Sequence, residues 1–189
     1  MLAGVILAGG LSSRMGRDKA ELRSSHSGLS LLEQGQALLQ QVGVEQTLIS
    51  SNQHPDGLRD ISPQCGPISG IHAALDALDK QHHTLSELIV IPVDMPNLNV
   101  SALAKLIVVG REAKQACCYQ HCYLPLYLPV TREIQIYIKQ IMQKGGNYSL
   151  KHMLLALNGL QISVDDEQRL LNINKPQQWL DFDKQPNIQ

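Results

Sequence analysis

The stretch VILAGGLSSRMGRDKAEL, residues 5–22, sets bare backbone ahead of two positive charges. Gly9 and Gly10 end an apolar run, and Arg14, Gly16 and Lys19 follow at short intervals. Glycine lets the chain turn sharply and lets backbone approach a ligand closely. Successive backbone N–H groups in such a turn form an anion-binding concavity. Arg14 can grip a pair of oxygens with its planar fork, and Lys19 adds a mobile point charge. The set suits a polyphosphate whose charge rises during reaction. A Gly-Gly pair alone also fits a plain strand–turn with surface charges. The loop is not a P-loop, because no GK[ST] follows, and it does not read GxGxxG.

The loop needs a strand before it and helices around it. Ala3–Leu7 is a short continuous apolar run, as in strands covered on both faces. Leu31, Leu32, Leu38, Leu39 and Val42 recur at helical spacing, and Thr47–Ser51 reads as a second strand. Ile71, Ala74, Leu75 and Leu78 mark a helix after CGPISG. ELIVIPVDMP, residues 87–96, is the clearest buried strand, stopped by Pro92 and Pro96. Ser101 can cap a helix carrying Leu103, Leu106 and Ile107, and Thr131 one carrying Ile134, Ile138 and Ile141.

Pro125 and Pro129 put the strand-forming segment 117–129 at an edge or in bent pieces. SLKHMLLAL, residues 149–157, reads as a helix ended by Asn158-Gly159, LQISV (160–164) as a strand, and Pro176 as the start of a last helix. Strands alternating with helices predict an α/β fold with a largely parallel sheet. In such sheets ligands bind beyond the carboxyl ends of the strands, where Leu7, Ala8, Gly9 and Gly10 fall. No repeat, low-complexity tract or linker divides residues 1–189, so one domain is expected, with a frayed tail at 184–189.

The bulk numbers exclude several classes. A net charge of -1 over 189 residues gives no basic surplus for nucleic acid or an acidic membrane surface. No apolar stretch approaches the roughly 20 residues of a membrane span, and the apolar start has no basic n-region of a secretion signal. Four cysteines in a chain of this size fit a reducing compartment, with the cytoplasm as the default expectation.

LAGGLSSRMGRDK resembles the signature LAGG-x-S-x-RMG-x-x-K of nucleotidyltransferases that build dinucleotide cofactors and nucleotide sugars. More narrowly it resembles the molybdenum cofactor guanylyltransferase family. GPISGIHAAL (66–75), IPVDMPNL (91–98) and NINKP (172–176) are similar to further segments of that family in order, so the resemblance spans nearly the whole chain. It is looser over 110–165. It implies a three-layer, Rossmann-like nucleotidyltransferase fold with a mostly parallel mixed sheet. It also implies transfer of GMP from GTP to the terminal phosphate of molybdopterin. A phosphate oxygen attacks the α-phosphorus and pyrophosphate leaves. Such transfers run on positioning and charge neutralisation.

The resemblance implies roles for particular residues. Asp94 becomes the ligand of Mg²⁺, where it can otherwise be a turn residue between prolines. Lys19 neutralises phosphate charge in the transition state, and Arg14 braces the leaving pyrophosphate or the loop. Leu7, Ala8, Gly9, Gly10, Ser50, Asn52, Asp60 and Gly66 line the GTP site, with Asp60 as the carboxylate nearest the family's base-binding position and Asp56 as its competitor. Asn172 and Asn174 orient metal, water or the pterin phosphate, or else form an Asx turn before Pro176. Molybdenum-insertion proteins and molybdoenzyme apoproteins are the implied protein partners.

The chain departs from the family pattern in three places. Ser50 replaces an asparagine, Asn147-Tyr148-Ser149 stand where an arginine pair is common, and Leu124 precedes Pro125 where a polar residue is usual. The last two fall where the resemblance places the pterin. Use of CTP, a sugar-phosphate acceptor, or nucleotide binding without turnover are the competing readings. Cys117, Cys118, His121 and Cys122 lack a usual zinc spacing, although Cys118 and Cys122 would share a face of one strand. His82-His83 reads as solvated, and Trp179 as an anchor of the last helix.

Overall fold

A computed structural model describes residues 1–9, 19–62, 65–80 and 86–184 of the chain. Gly10, Arg14, the His82-His83 pair and the tail beyond Lys184 lie outside the described residues. The strands are β1 (Leu2–Leu7), β2 (Gln46–Ser50), β3 (Glu87–Pro92), β4 (Cys117–Tyr119), β5 (Cys122–Pro129) and β6 (Leu160–Ile162). The helices are α1 (Leu31–Gln41), α2 (Pro67–Lys80), α3 (Val100–Ala113), α4 (Arg132–Lys144), α5 (Leu150–Ala156) and α6 (Pro176–Asp183).

The strands form one mixed sheet of six in the order β2-β1-β3-β5-β4-β6. β1 pairs in parallel with both β2 and β3, and β4 with β6. β5 runs antiparallel to both of its neighbours. The fold is therefore α/β with a mostly parallel sheet. Its two faces are covered separately. Val5, Leu88, Val90 and Leu126 pack under α2, α4 and α5 through Ile71, Leu78, Ile138 and Met153. Ile6, Ile89, Ile91 and Tyr127 pack under α1 and α3 through Leu39, Leu103 and Leu106. Alternate residues of β1 and β3 thus serve opposite layers, which is why both read as unbroken apolar runs.

Of the two expectations for this segment, an edge or bent pieces, the edge is wrong: β5 lies inside the sheet, and its pairing with β4 is irregular. Its ladder with β3 runs from Glu87↔Pro129 to Val90↔Leu126, and its pairing with β4 breaks between Cys118 and Tyr119. Pro125 falls beyond the one ladder and inside the break of the other. Its missing N–H therefore removes no ladder hydrogen bond. The α3 cap also differs from the reading above: Asn99, not Ser101, accepts from the Ala102 N–H at 3.0 Å. Thr131 caps α4 as its position implies.

Cys118 and Cys122 do not share a face, because a turn at Gln120-His121 separates their strands. Cys118 enters the α2/α4/α5 layer, and Cys117 and Cys122 the α1/α3 layer. None of the four cysteines is in a disulfide. Burial pushes the Cys117 thiol up to about 11 and the Cys118 thiol up to about 12, so both stay protonated. Among the described residues no cluster of His, Cys, Asp and Glu could hold a metal by itself, and no helix is long and apolar enough to cross a membrane.

Candidate active site

β1 lies between two parallel strands that leave it in opposite directions along the sheet. A crevice therefore opens beyond its carboxyl end. Three segments meet there. Ala8 follows β1 and donates its N–H to the Ser50 carbonyl at 2.9 Å. Val93 follows β3 and donates to the Leu7 carbonyl at 3.1 Å. The chain near its end returns to the same place, where the Ile173 N–H donates to the Asp94 carbonyl at 2.8 Å and the Ile173 side chain is buried.

This return brings together three residues far apart in sequence. The Lys19 ammonium donates to Asp94 Oδ2 at 2.9 Å and to Asn174 Oδ1 at 2.7 Å. The lysine side chain is 15% exposed and the aspartate 20%, so the pair is partly shielded from water. Lys19 opens a 3₁₀ turn over Lys19–Glu21, which fixes the base of its side chain. Asn174 forms no Asx turn, because Pro176, two residues on, has no N–H to give. Gln178 Oε1 accepts from the N–H groups of Asn174 and Lys175, at 2.8 and 2.9 Å, and the Asn174 side-chain oxygen is given to the lysine. Asn172 is exposed and is not part of this trio. Gln178 was not singled out from sequence, although it holds the N3 position at which Glu or Gln closes a helix start.

The loop after β2 supplies a second constellation. Leu58 folds back along β2, giving its carbonyl to the Ser51 N–H at 3.0 Å and its N–H to the Ile49 carbonyl at 2.7 Å. Across the mouth of this loop, Asn52 Oδ1 accepts from the Asp60 N–H at 2.8 Å and its Nδ2 donates to Asp60 Oδ2 at 3.0 Å. Asn52 thus fixes Asp60 and leaves its other carboxylate oxygen unpaired by this contact. Ser50 is buried, and its hydroxyl lies where a Cβ on Gly70 would stand. The side chain lies against Gly70 of α2. Gly66 adopts φ +64°, a left-handed conformation suited to glycine, just ahead of Pro67 at the start of α2. The Tyr148 carbonyl passes 4.0 Å from where a Gly66 Cβ would be, so segment 145–149 borders this corner.

Both constellations stand at one end of the sheet, one on each side of β1. One holds a cation among oxygen acceptors and the other a fixed carboxylate near a glycine turn. The chain belongs to the MobA-like NTP transferase family, whose model matches residues 4–159. It is 34% identical over 182 residues to the molybdenum cofactor guanylyltransferase of Xanthomonas euvesicatoria pv. vesicatoria, covering 93% of this chain and 91% of the relative. Its fold is similar to that of molybdopterin-guanine dinucleotide biosynthesis protein A from Archaeoglobus fulgidus, with a TM-score of 0.70, 20% identity and 97% of each chain covered. A manganese complex of a Mycobacterium tuberculosis H37Rv protein shares the fold at a TM-score of 0.57 and 18% identity, over 87% of this chain and 89% of that one.

Proposed function

We propose that this protein transfers GMP from GTP to the terminal phosphate of molybdopterin, in the cytoplasm and with Mg²⁺. An oxygen of the acceptor phosphate bonds to the α-phosphorus of GTP. The bond from that phosphorus to the bridging oxygen breaks, and pyrophosphate leaves with the electron pair. The product is molybdopterin guanine dinucleotide. The observation that carries this reading is the convergence of Lys19, Asp94 and Asn174 beyond β1 and β3. Family membership and the guanylyltransferase relative support the base and the acceptor.

The donor set fits a hard divalent cation. Asp94 and Asn174 already turn oxygens toward one positive charge, and Mg²⁺ is commonly held by one or two carboxylates together with substrate phosphates. Asp94 would hold the ion and Asn174 would orient it or its water. When bound, Mg²⁺ supplies Lewis-acid polarisation of the α-phosphate. The rest falls to the chain. Lys19 places a fixed cation where phosphate charge grows, and its partial burial strengthens that attraction over its value in water. The backbone at Ala8-Gly9, followed by Gly10 and Arg14, receives the phosphates. Asp60, held by Asn52, accepts from the guanine N1–H and N2 amino group, and Gly66 lets backbone approach the nucleoside. Molybdenum-insertion proteins and molybdoenzyme apoproteins are the partners for the product.

Pyrophosphate release tests the reading. Purified protein, Mg²⁺ and molybdopterin are combined with GTP, CTP, ATP or UTP in separate reactions. Release with GTP alone is the expected result. Release with CTP instead would keep the mechanism and overturn the base. GTP binding without release from any nucleotide would overturn the assignment of catalysis.

A further inference from the structure

No residue of α6 is buried, and Leu180 on it is 49% exposed. Its two aromatic residues, Trp179 and Phe182, are half-buried and pack on each other with centroids 5.6 Å apart. Helices usually earn their place by burying an apolar stripe. This one is held chiefly at its ends, and both ends grip the same short segment of chain. Ahead of its first turn, Asn174 Oδ1 accepts from Lys19. At its last residue, Asp183 Oδ1 accepts from the Ser25 N–H at 2.8 Å, 158 positions away in sequence. The Asp183 carbonyl also accepts from Ser25 Oγ at 3.4 Å, and His26 Nδ1 stands 4.0 Å from Asp183 Oδ1.

The gripped segment is stiff. The Leu22 N–H bonds to the Lys19 carbonyl at 3.1 Å, and its carbonyl accepts from the Leu31 N–H at 2.9 Å. The Ser24 N–H bonds to the Leu29 carbonyl at 3.0 Å and the Gly28 N–H to the Ser24 carbonyl at 2.8 Å, closing a tight loop between Lys19 and α1. A displacement at Ser25 is therefore passed toward Lys19 and not absorbed between them.

From this clasp we infer that α6 is a strap that positions Lys19, with Asp183 as the positioning residue that anchors it. The inference rests on Lys19 acting in guanylyl transfer as proposed above. Asp183 touches no substrate. It acts through Ser25 and the 19–26 segment on one side, and through the placement of Asn174 on the other. Its carboxylate serves as a hydrogen-bond acceptor, so asparagine at this position should substitute for it.

The test compares Asp183→Ala, Asp183→Asn and Lys19→Ala with the double variant Asp183→Ala/Lys19→Ala. Asp183→Ala should lower kcat about ten- to a hundredfold, the scale of a small misplacement, with KM for GTP within about twofold. Asp183→Asn should recover most of that loss. In the Lys19→Ala background the Asp183→Ala change should cost nothing further, because the two act as one unit. Acylation of lysines by an amine-reactive reagent, read by mass spectrometry, gives an independent arm. Lys19 labelling should rise in Asp183→Ala and not in Asp183→Asn, with labelling of Lys151 unchanged as a control for global unfolding. Additive losses, or Lys19 labelling equal to wild type, would overturn the strap. The labelling arm reads the strap even if wild type releases no pyrophosphate, so the two proposals fail in different ways.

Discussion

Lys19 and Asp94, 75 positions apart, meet at 2.9 Å across the carboxyl end of β1 and β3, and Asn174 completes the contact from the far end of the chain. The pairing has a chemical consequence. A lysine between two oxygen acceptors marks a place where positive charge is stabilised before any phosphate arrives. In the proposed reaction a triphosphate in this crevice would meet a cation that is already fixed, so little reorganisation would be needed as charge moves onto the leaving group.

The clamp at the other side of β1 predicts a separable effect on nucleotide affinity. Asn52→Ala removes both hydrogen bonds that hold Asp60. KM for GTP should rise about tenfold, a loss of roughly 1.4 kcal/mol, while kcat changes little. Steady-state kinetics at saturating acceptor checks this. An unchanged KM would remove Asp60 from guanine recognition.

Gly70 predicts a stability effect that is unrelated to chemistry. A Cβ there would overlap Ser50 Oγ and stand 2.7 Å from Leu7 Cδ2. Gly70→Ala should destabilise the protein by about 1–3 kcal/mol, as overpacking does. Ser50→Ala in the same chain should restore part of the loss, since Leu7 remains in the way. Urea unfolding of the single and double variants measures both effects.

Glu87 sets part of the acid limit of the fold. The Arg111 guanidinium, donating to it at 2.6 and 2.8 Å, holds its carboxyl below the ordinary value of 4.5 against the opposing effect of burial. The Tyr127 hydroxyl adds a further hydrogen bond at 2.7 Å. A folded-state value below the unfolded one means that the charged form stabilises the fold. That contribution is complete above about 4.5 and is lost as pH falls through the lower folded value. Glu87→Gln should therefore be less stable than wild type at neutral pH, and the two melting curves should converge toward pH 3. Parallel melting temperatures across that range would contradict the linkage.

Much of this architecture can be read from sequence because burial leaves a local trace. β1 and β3 are continuous apolar runs, and α4 and α5 carry their capping residues Thr131 and Ser149. The edge expectation for β5 fails because a proline reports only its own missing donor, not whether a partner strand asks for it. The Cys118–Cys122 relation fails for a similar reason: one turn at Gln120-His121 changes which face each residue meets. The meeting of Lys19, Asp94 and Asn174 has no local trace. Nothing in spacing joins Lys19 to Asp94 and Asn174, and the resemblance to a family is what names them together. The Asp183–Ser25 contact left no trace of either kind, because a single acceptor at a helix end looks like any surface aspartate.

The most direct measurement is formation of molybdopterin guanine dinucleotide, separated and weighed by mass spectrometry, from GTP and molybdopterin with wild type, Lys19→Ala and Asp94→Ala. GTP binding and melting temperature are measured on the same samples. The account predicts product from wild type and a loss of about 10²–10³-fold in each variant, with folded protein that still binds GTP. Wild-type rates in either variant would contradict it.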